Sequence, residues 1–236
     1  PSNPTLSCVD LEALSTLAKD FGVKTMVDNT FCTPYLQRPL NHGIDVVVHS
    51  TTKFLNGHGN SISGAIVTTD QDLHKQMWTS LKSLGAICNA WDAWLLNNGL
   101  KTLVLRMDKH SSNALALAQY LEKHPRVRQV NYCGLESHES YQIAQKQMSQ
   151  YGGMLSFEID GSQHDALQVI DKLKVATNAP TLGDIDTLVL HPATSSHLHV
   201  DPAVRESVGI TDSLIRLSVG VENIADLKAD LESALK

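Results

Sequence analysis

The chain has 236 residues, of which 42% are apolar and 19% charged, the balance of a globular protein with one large domain or two modest ones. Nineteen basic against 25 acidic side chains give a formal net charge of −6, which offers no electrostatic footprint for nucleic acid. No apolar run reaches the roughly 20 residues that span a bilayer, and branched aliphatics recur in every segment, which argues against disorder.

Along the chain, Leu11 to Phe21 reads as a helix, apolar at Leu11, Leu14, Leu17 and Ala18 and ended by Gly22. Val23 to Val27 reads as a short buried strand ending on Asp28. Pro34 to Leu40 is irregular or a short helix. Ile44 to Val48 is a strand that stops at His49-Ser50. Thr51 to Gly64 reads as a loop holding Gly57 and Gly59, and Ala65 to Thr68 as another strand. Strands alternating with helices over short connections indicate an α/β layer with a largely parallel sheet. From Leu73 a helical period dominates. Asp92 to Leu96 and Lys101 to Lys123 read as one long broken helix, with Gly99 as the kink or break.

The character changes after Pro125. Val127 to Tyr132 reads as a strand, Tyr141 to Ser149 as a helix, Met154 to Ile159 as an alternating strand and Ala166 to Leu173 as a helix. Leu188 to Leu190 and Leu214 to Val219 are further strands. Asn223 caps a last helix with Ile224, Leu227, Leu231 and Leu235 on its apolar face. Two units are expected: residues 1–106, part of a parallel α/β domain, and residues 107–236, a smaller α+β domain. Cys8, Cys32, Cys88 and Cys133 are widely spaced, with no Cys-x-x-Cys pair. That spacing predicts free thiols in a reducing, cytoplasmic compartment rather than a disulfide framework or a zinc knot.

The chemistry concentrates between Val27 and Gly64. Open α/β sheets place ligands at the carboxyl ends of their strands. Here those ends carry Asp28 after one strand and Ser50, Thr52 and Lys53 after the next. A carboxylate, two hydroxyls and a lysine suit an anionic, nitrogen-containing aromatic cofactor. Pyridoxal 5′-phosphate needs these parts: an amine for its aldehyde, a carboxylate to keep its pyridine nitrogen protonated, and hydroxyls for its phosphate.

Several stretches carry a resemblance. They are Pro1-Ser2-Asn3-Pro4-Thr5-Leu6, Val27-Asp28-Asn29-Thr30-Phe31, Pro34-Tyr35-Leu36-Gln37-Arg38-Pro39-Leu40 and His49-Ser50-Thr51-Thr52-Lys53-Phe54-Leu55-Asn56-Gly57-His58. Later come Gly99-Leu100-Lys101-Thr102-Leu103, Gly152-Gly153-Met154-Leu155-Ser156-Phe157, His191-Pro192-Ala193-Thr194 and Leu214-Ile215-Arg216-Leu217-Ser218-Val219-Gly220. Together they cover the whole chain, which resembles the Cys/Met metabolism, or trans-sulfuration, family of pyridoxal-phosphate enzymes.

The resemblance implies fold type I: part of a large cofactor-binding domain, then a small α+β domain. It implies Lys53 as the Schiff-base lysine and proton shuttle, Asp28 as partner of the pyridine nitrogen, and Ser50 and Thr52 as phosphate ligands. Asn3 would hold the phenolic oxygen, and Arg216 would fork onto the substrate α-carboxylate. Thr181 stands where the family usually has Ser, beside that carboxylate. The implied reaction is γ-elimination on a sulfur amino acid such as L-methionine, giving α-keto acid, ammonia and thiol. The alternatives are γ-replacement, as in O-acylhomoserine sulfhydrylase or cystathionine γ-synthase, and a fragment that binds no cofactor. Pro180 replaces the Glu usual in cystathionine-handling members and points towards methionine-like or homoserine-ester substrates. The family also implies a homotetramer of active dimers. Its segment before the Asn-Pro motif supplies a glycine turn at the phosphate, a ring-stacking Tyr, and a Tyr and an Arg for the neighbouring subunit's phosphate. The chain therefore reads as the C-terminal part of a longer protein.

Other readings are weaker. His197-x-His199 near His191 has chelating spacing but no fourth ligand, so no metal is expected. Cys32 lacks the pattern of a cysteine nucleophile. Trp78, Trp91 and Trp94 read as packing residues or subunit contacts. Gly57-x-Gly59 lacks the strand–glycine–helix order of a dinucleotide site. A cofactor-free Schiff-base aldolase would need a barrel, which this layout does not provide.

Overall fold

A computed structural model describes residues 1–236. The first helix, α1 (Leu11–Asp20), starts because the Asp10 carboxylate accepts from the N–H groups of Glu12 and Ala13, at 3.0 Å each. It stops where Gly22 turns to φ +63°. Strand β1 (Met26–Asp28) begins three residues later than the apolar run suggested. After the short helix α2 (Thr33–Leu36) comes β2 (Val46–Ser50), parallel to β1 with Asp28 opposite Val48. Strand β3 (Gly64–Val67) then pairs antiparallel with β2. The expected parallel arrangement thus holds for one of the two pairings. A parallel return needs a crossover, usually a helix. Between Ser50 and Gly64 the chain makes only a wide helical turn (Thr51–Leu55) and a glycine loop, so it comes back reversed.

Two helices, α3 (Gln71–Leu84) and α4 (Ala90–Leu100), lead to α5 (Leu103–Leu121). The break expected at Gly99 lies two residues on, at Lys101-Thr102, whose N–H groups bond back to Asn98 and Gly99. Gly99 is helical and serves close packing instead: a Cβ there would lie 2.2 Å from the Asn56 carbonyl oxygen. Residue 106 falls inside α5, which packs against α2, the wide turn, the strands Val127–Asn131 and Met154–Ile159 and the last helix.

The second sheet is built from β4 (Val127–Asn131), β5 (Met154–Ile159), β6 (Thr177–Asn178), β7 (Leu188–Leu190) and β8 (Leu214–Ser218). Their order is β4-β5-β8-β7-β6, antiparallel except for β6–β7. Helices α6 (Tyr141–Gln147), α7 (Gln163–Lys172), α8 (Pro202–Ser207) and α9 (Ile224–Ala234) complete the fold. A capping box between Ser162 and Asp165 starts α7. As expected, Asn223 caps α9, accepting from the Ala225 N–H.

The larger core packs Leu155, Phe157, Ile159, Ile215 and Leu217 of this sheet against Leu117 and Leu121 of α5 and Leu227 and Leu231 of α9. Strand alternation sends the intervening Ser156, Arg216 and Ser218 to the opposite face. That face is covered too, so every residue of β5 and β8 is buried. No helix is long and apolar enough to cross a membrane.

Candidate active site

That opposite face of the second sheet holds a buried arginine. Arg216 is 3% exposed and lies in the middle of β8, opposite Ser156 of β5 and Leu190 of β7. One of its NH groups donates to the Asn3 side-chain oxygen at 3.1 Å and the other to the Thr181 carbonyl at 2.9 Å. Its Nε is buried without a partner. Burial pulls its pKa down to about 10. Two residues along the strand, the Ser218 hydroxyl accepts from the Gly183 N–H at 2.8 Å. Arg216 and Ser218 thereby pin the turn 181–183 to the sheet.

That turn meets Lys53. The Lys53 amine donates to the Thr181 hydroxyl at 2.6 Å. Its pKa is lowered, first by burial and then by the nearby Arg216 charge. Lys53 sits in the wide turn closed by the Asn56 N–H on the Thr51 carbonyl at 3.1 Å, and its own backbone (φ −90°, ψ −137°) is not helical. The two segments touch so closely that only glycine fits. A Cβ on Gly183, which has φ +80°, would lie 2.6 Å from the Phe54 nitrogen and 3.0 Å from the Lys53 carbonyl carbon.

Lys53, Thr181, Arg216 and Asn3 thus form one hydrogen-bonded chain, although 213 positions separate Asn3 from the Arg216 it bonds to. Asp28 and Ser50 belong to a second cluster. The Asp28 carboxylate accepts from the Thr30 hydroxyl at 2.6 Å and from the Thr30 N–H at 2.9 Å. The same hydroxyl accepts from the Ser50 N–H at 2.8 Å. Thr52 turns elsewhere: its hydroxyl donates to the Ser63 carbonyl at 3.3 Å and accepts from the Ser63 N–H at 3.0 Å. A phosphate at Thr52 would have to draw that hydroxyl away from Ser63.

The donor set suits an anionic carbonyl compound. Lys53 and Arg216 are adjacent cations in a partly desolvated place, neither is in an ion pair, and Arg216 keeps a buried N–H free. Buried cations without counter-charges are costly, and a bound anion offsets that cost.

A family model of Cys/Met metabolism PLP-dependent enzymes matches residues 1–236. The chain belongs to that family. Its members depend on pyridoxal phosphate, the cofactor that Asp28, Ser50, Thr52 and Lys53 suggest. The chain is 46% identical to an L-methionine gamma-lyase of Fusobacterium nucleatum, matching all of this chain and 60% of that protein. It is 45% identical to a cystathionine beta-lyase of Coxiella burnetii, over all of this chain and 61% of the other. Among solved structures, cystathionine gamma synthase from Xanthomonas oryzae superposes with a TM-score of 0.97 at 41% identity, covering all of this chain and 61% of that one. The chain therefore spans about three fifths of the length of the curated relatives it matches. These likenesses support the fold-type-I α/β architecture.

Three participants escape reading by composition or period. Thr30, which joins Asp28 to Ser50, lies inside a matched stretch but bears no chemistry of its own. Gly183 is visible only as a turn residue. Arg106 looks like an ordinary helical arginine until its partners are seen. His191 keeps both ring nitrogens engaged, by the Thr194 hydroxyl and the Asp212 carbonyl.

Proposed function

We propose that this chain carries the lysine and carboxylate-binding half of a pyridoxal-phosphate-dependent carbon–sulfur lyase that acts on L-methionine, or a related thioether or thiol amino acid, by γ-elimination. The observation that supports this most is the Lys53–Thr181–Arg216–Asn3 chain, which sets a deprotonatable amine beside an arginine with an unpartnered buried N–H. Lys53 would hold the cofactor, with Asp28 at its ring nitrogen, Asn3 at its phenolic oxygen and Ser50 and Thr52 at its phosphate. Bound pyridoxal phosphate supplies an electron sink for the charge left at the substrate's α-carbon. Arg216 orients the α-carboxylate through its fork. Burial and then the Arg216 charge lower the Lys53 pKa, which favours the amine as the base that takes the α-proton and returns it to a neighbouring carbon. Thr181 steers the amine through its hydroxyl, and Pro180 puts no carboxylate immediately before that turn to meet a second substrate ammonium.

A second reading is γ-replacement, favoured by the TM-score of 0.97 to a cystathionine gamma synthase. The products decide. Protein supplied with pyridoxal phosphate and L-methionine should yield α-ketobutyrate and methanethiol. Pyruvate from L-cystathionine instead would move the assignment to β-elimination. Cystathionine formed from an activated homoserine and cysteine would move it to replacement. We also propose that the enzyme assembles as a homotetramer, tested by sedimentation.

A further inference from the structure

The wide turn that carries Lys53 ends without continuing into a helix, so its last carbonyls need donors from elsewhere. Arg106, in α5 and 6% exposed, supplies them. Its two NH groups donate to the Phe54 carbonyl at 2.7 Å, the Leu55 carbonyl at 3.2 Å and the Gly99 carbonyl at 2.9 Å. Its Nε donates to the Thr102 hydroxyl at 3.0 Å. Four of the five guanidinium N–H groups are thereby engaged, by three backbone oxygens and one hydroxyl. It makes no ion pair, and the acid whose charge it feels is Asp184. Space around it is equally specified. A Cβ on Gly57 would fall 2.0 Å from an Arg106 NH nitrogen, and one on Gly99 2.2 Å from the Asn56 oxygen.

We propose that Arg106 is a positioning residue for Lys53: a planar fork that ties the end of the lysine turn to the start of α5 and so fixes where the amine points. A buried arginine is a costly way to fill a core unless its geometry is used. Here the three carbonyls belong to two segments, the lysine turn and the end of α4, and a fork of fixed geometry joins them in a way that the single ammonium of lysine cannot. The helix-terminal carbonyls also carry partial negative charge, which suits a cation. Misplacing a reacting group by about 1 Å can cost on the order of 100-fold in rate. The inference rests on the reading that Lys53 is the cofactor's attachment point.

The test follows capture of added pyridoxal phosphate on Lys53, trapped with borohydride at timed intervals and read by peptide mass. Wild-type protein, Arg106→Lys and Thr102→Ala are compared, with circular dichroism to establish that each is folded. Arg106→Lys keeps the charge and loses the fork. It should capture at least tenfold more slowly, and in the lyase assay lower kcat by a similar factor with KM changed less than threefold. Thr102→Ala removes one Arg106 partner at an exposed position and should slow capture two- to fivefold. Wild type failing to trap on Lys53 would overturn the functional reading itself. Trapping on Lys53 in wild type at a rate that Arg106→Lys and Thr102→Ala both match would overturn the positioning role alone. Should Arg106→Lys not fold, the Thr102→Ala rate decides by itself.

Discussion

His110 should make the protein acid-labile by an amount the structure sets. Its ring is fully buried in α5, edge-on to Phe54 with centroids 5.2 Å apart. Nδ1 lies 2.6 Å from the Val219 carbonyl and therefore carries the proton, and Nε2 has no partner at all. Burial, reinforced by the nearby Arg106 charge, holds its pKa at about 4 against an ordinary value of 6.5. The unfolded chain takes up a proton at this residue as pH falls below 6.5, and the folded chain does not until about 4. Stability is therefore intact above 6.5, falls between 6.5 and 4, and levels off below. At about 1.4 kcal/mol per pH unit the loss from this group is about 3 kcal/mol, a large share of the 5–15 kcal/mol typical of a domain. The assay is equilibrium urea unfolding at pH 7 and pH 4.5 for wild type and His110→Asn, whose side-chain amide can still donate to Val219. Carboxylates and His49 titrate in both proteins, so the difference between the two pH-dependent losses belongs to His110. Wild type should lose about 2–3 kcal/mol more than the variant. Equal losses would refute the account of a neutral, sealed imidazole.

Three further outcomes are expected. Lys53→Ala should abolish borohydride-trapped pyridoxyl label on the chain, and label retained on another lysine would remove Lys53 from its role. Gly183→Ala forces a Cβ into a left-handed residue 2.6 Å from the Phe54 nitrogen. It should destabilise the fold by about 2–4 kcal/mol in urea unfolding and slow cofactor capture as well. Iodoacetamide at neutral pH should alkylate exposed Cys88 first; Cys32, buried with its pKa pushed up to about 11, should react only after denaturation, as peptide mapping would report.

Elements with a clean period were legible in the sequence because their partners lie within the same few residues. Met154–Ile159 takes the bounds its pattern suggests, and Asn223 opens the last helix. Strand β6, with two residues, and helix α8, with six, are too short to show a period. The direction of β3 depends on how the chain leaves Ser50, which apolar runs do not encode. At the site, Lys53, Asp28, Ser50 and Thr52 stand out because their residue types carry chemistry at strand ends. Asn3, Thr181 and Arg216 came only through likeness to a family, since nothing local ties position 216 to position 3. The packing that holds them is harder still to read: Gly99 looks like a break and is a point of close approach, because the oxygen that demands a glycine belongs to Asn56.

The arrangement of charge explains why so much of this site is built from backbone. Lys53, Arg106 and Arg216 converge on one region, and none of them forms an ion pair with an acid. An acid placed beside Lys53 or Arg216 would neutralise the positive potential that an anionic ligand needs, and would raise the Lys53 pKa. Carbonyl dipoles satisfy the same N–H groups without carrying a full charge. Arg106 is therefore solvated by the carbonyls of residues 54, 55 and 99. Arg216 is held by one carbonyl and one amide, with Nε left over. Desolvation then depresses the pKa of Lys53, and Arg216 adds to it. An acid introduced next to the pair, as in Thr181→Asp, would satisfy the cations internally and so compete with both the cofactor's anion and the substrate's carboxylate.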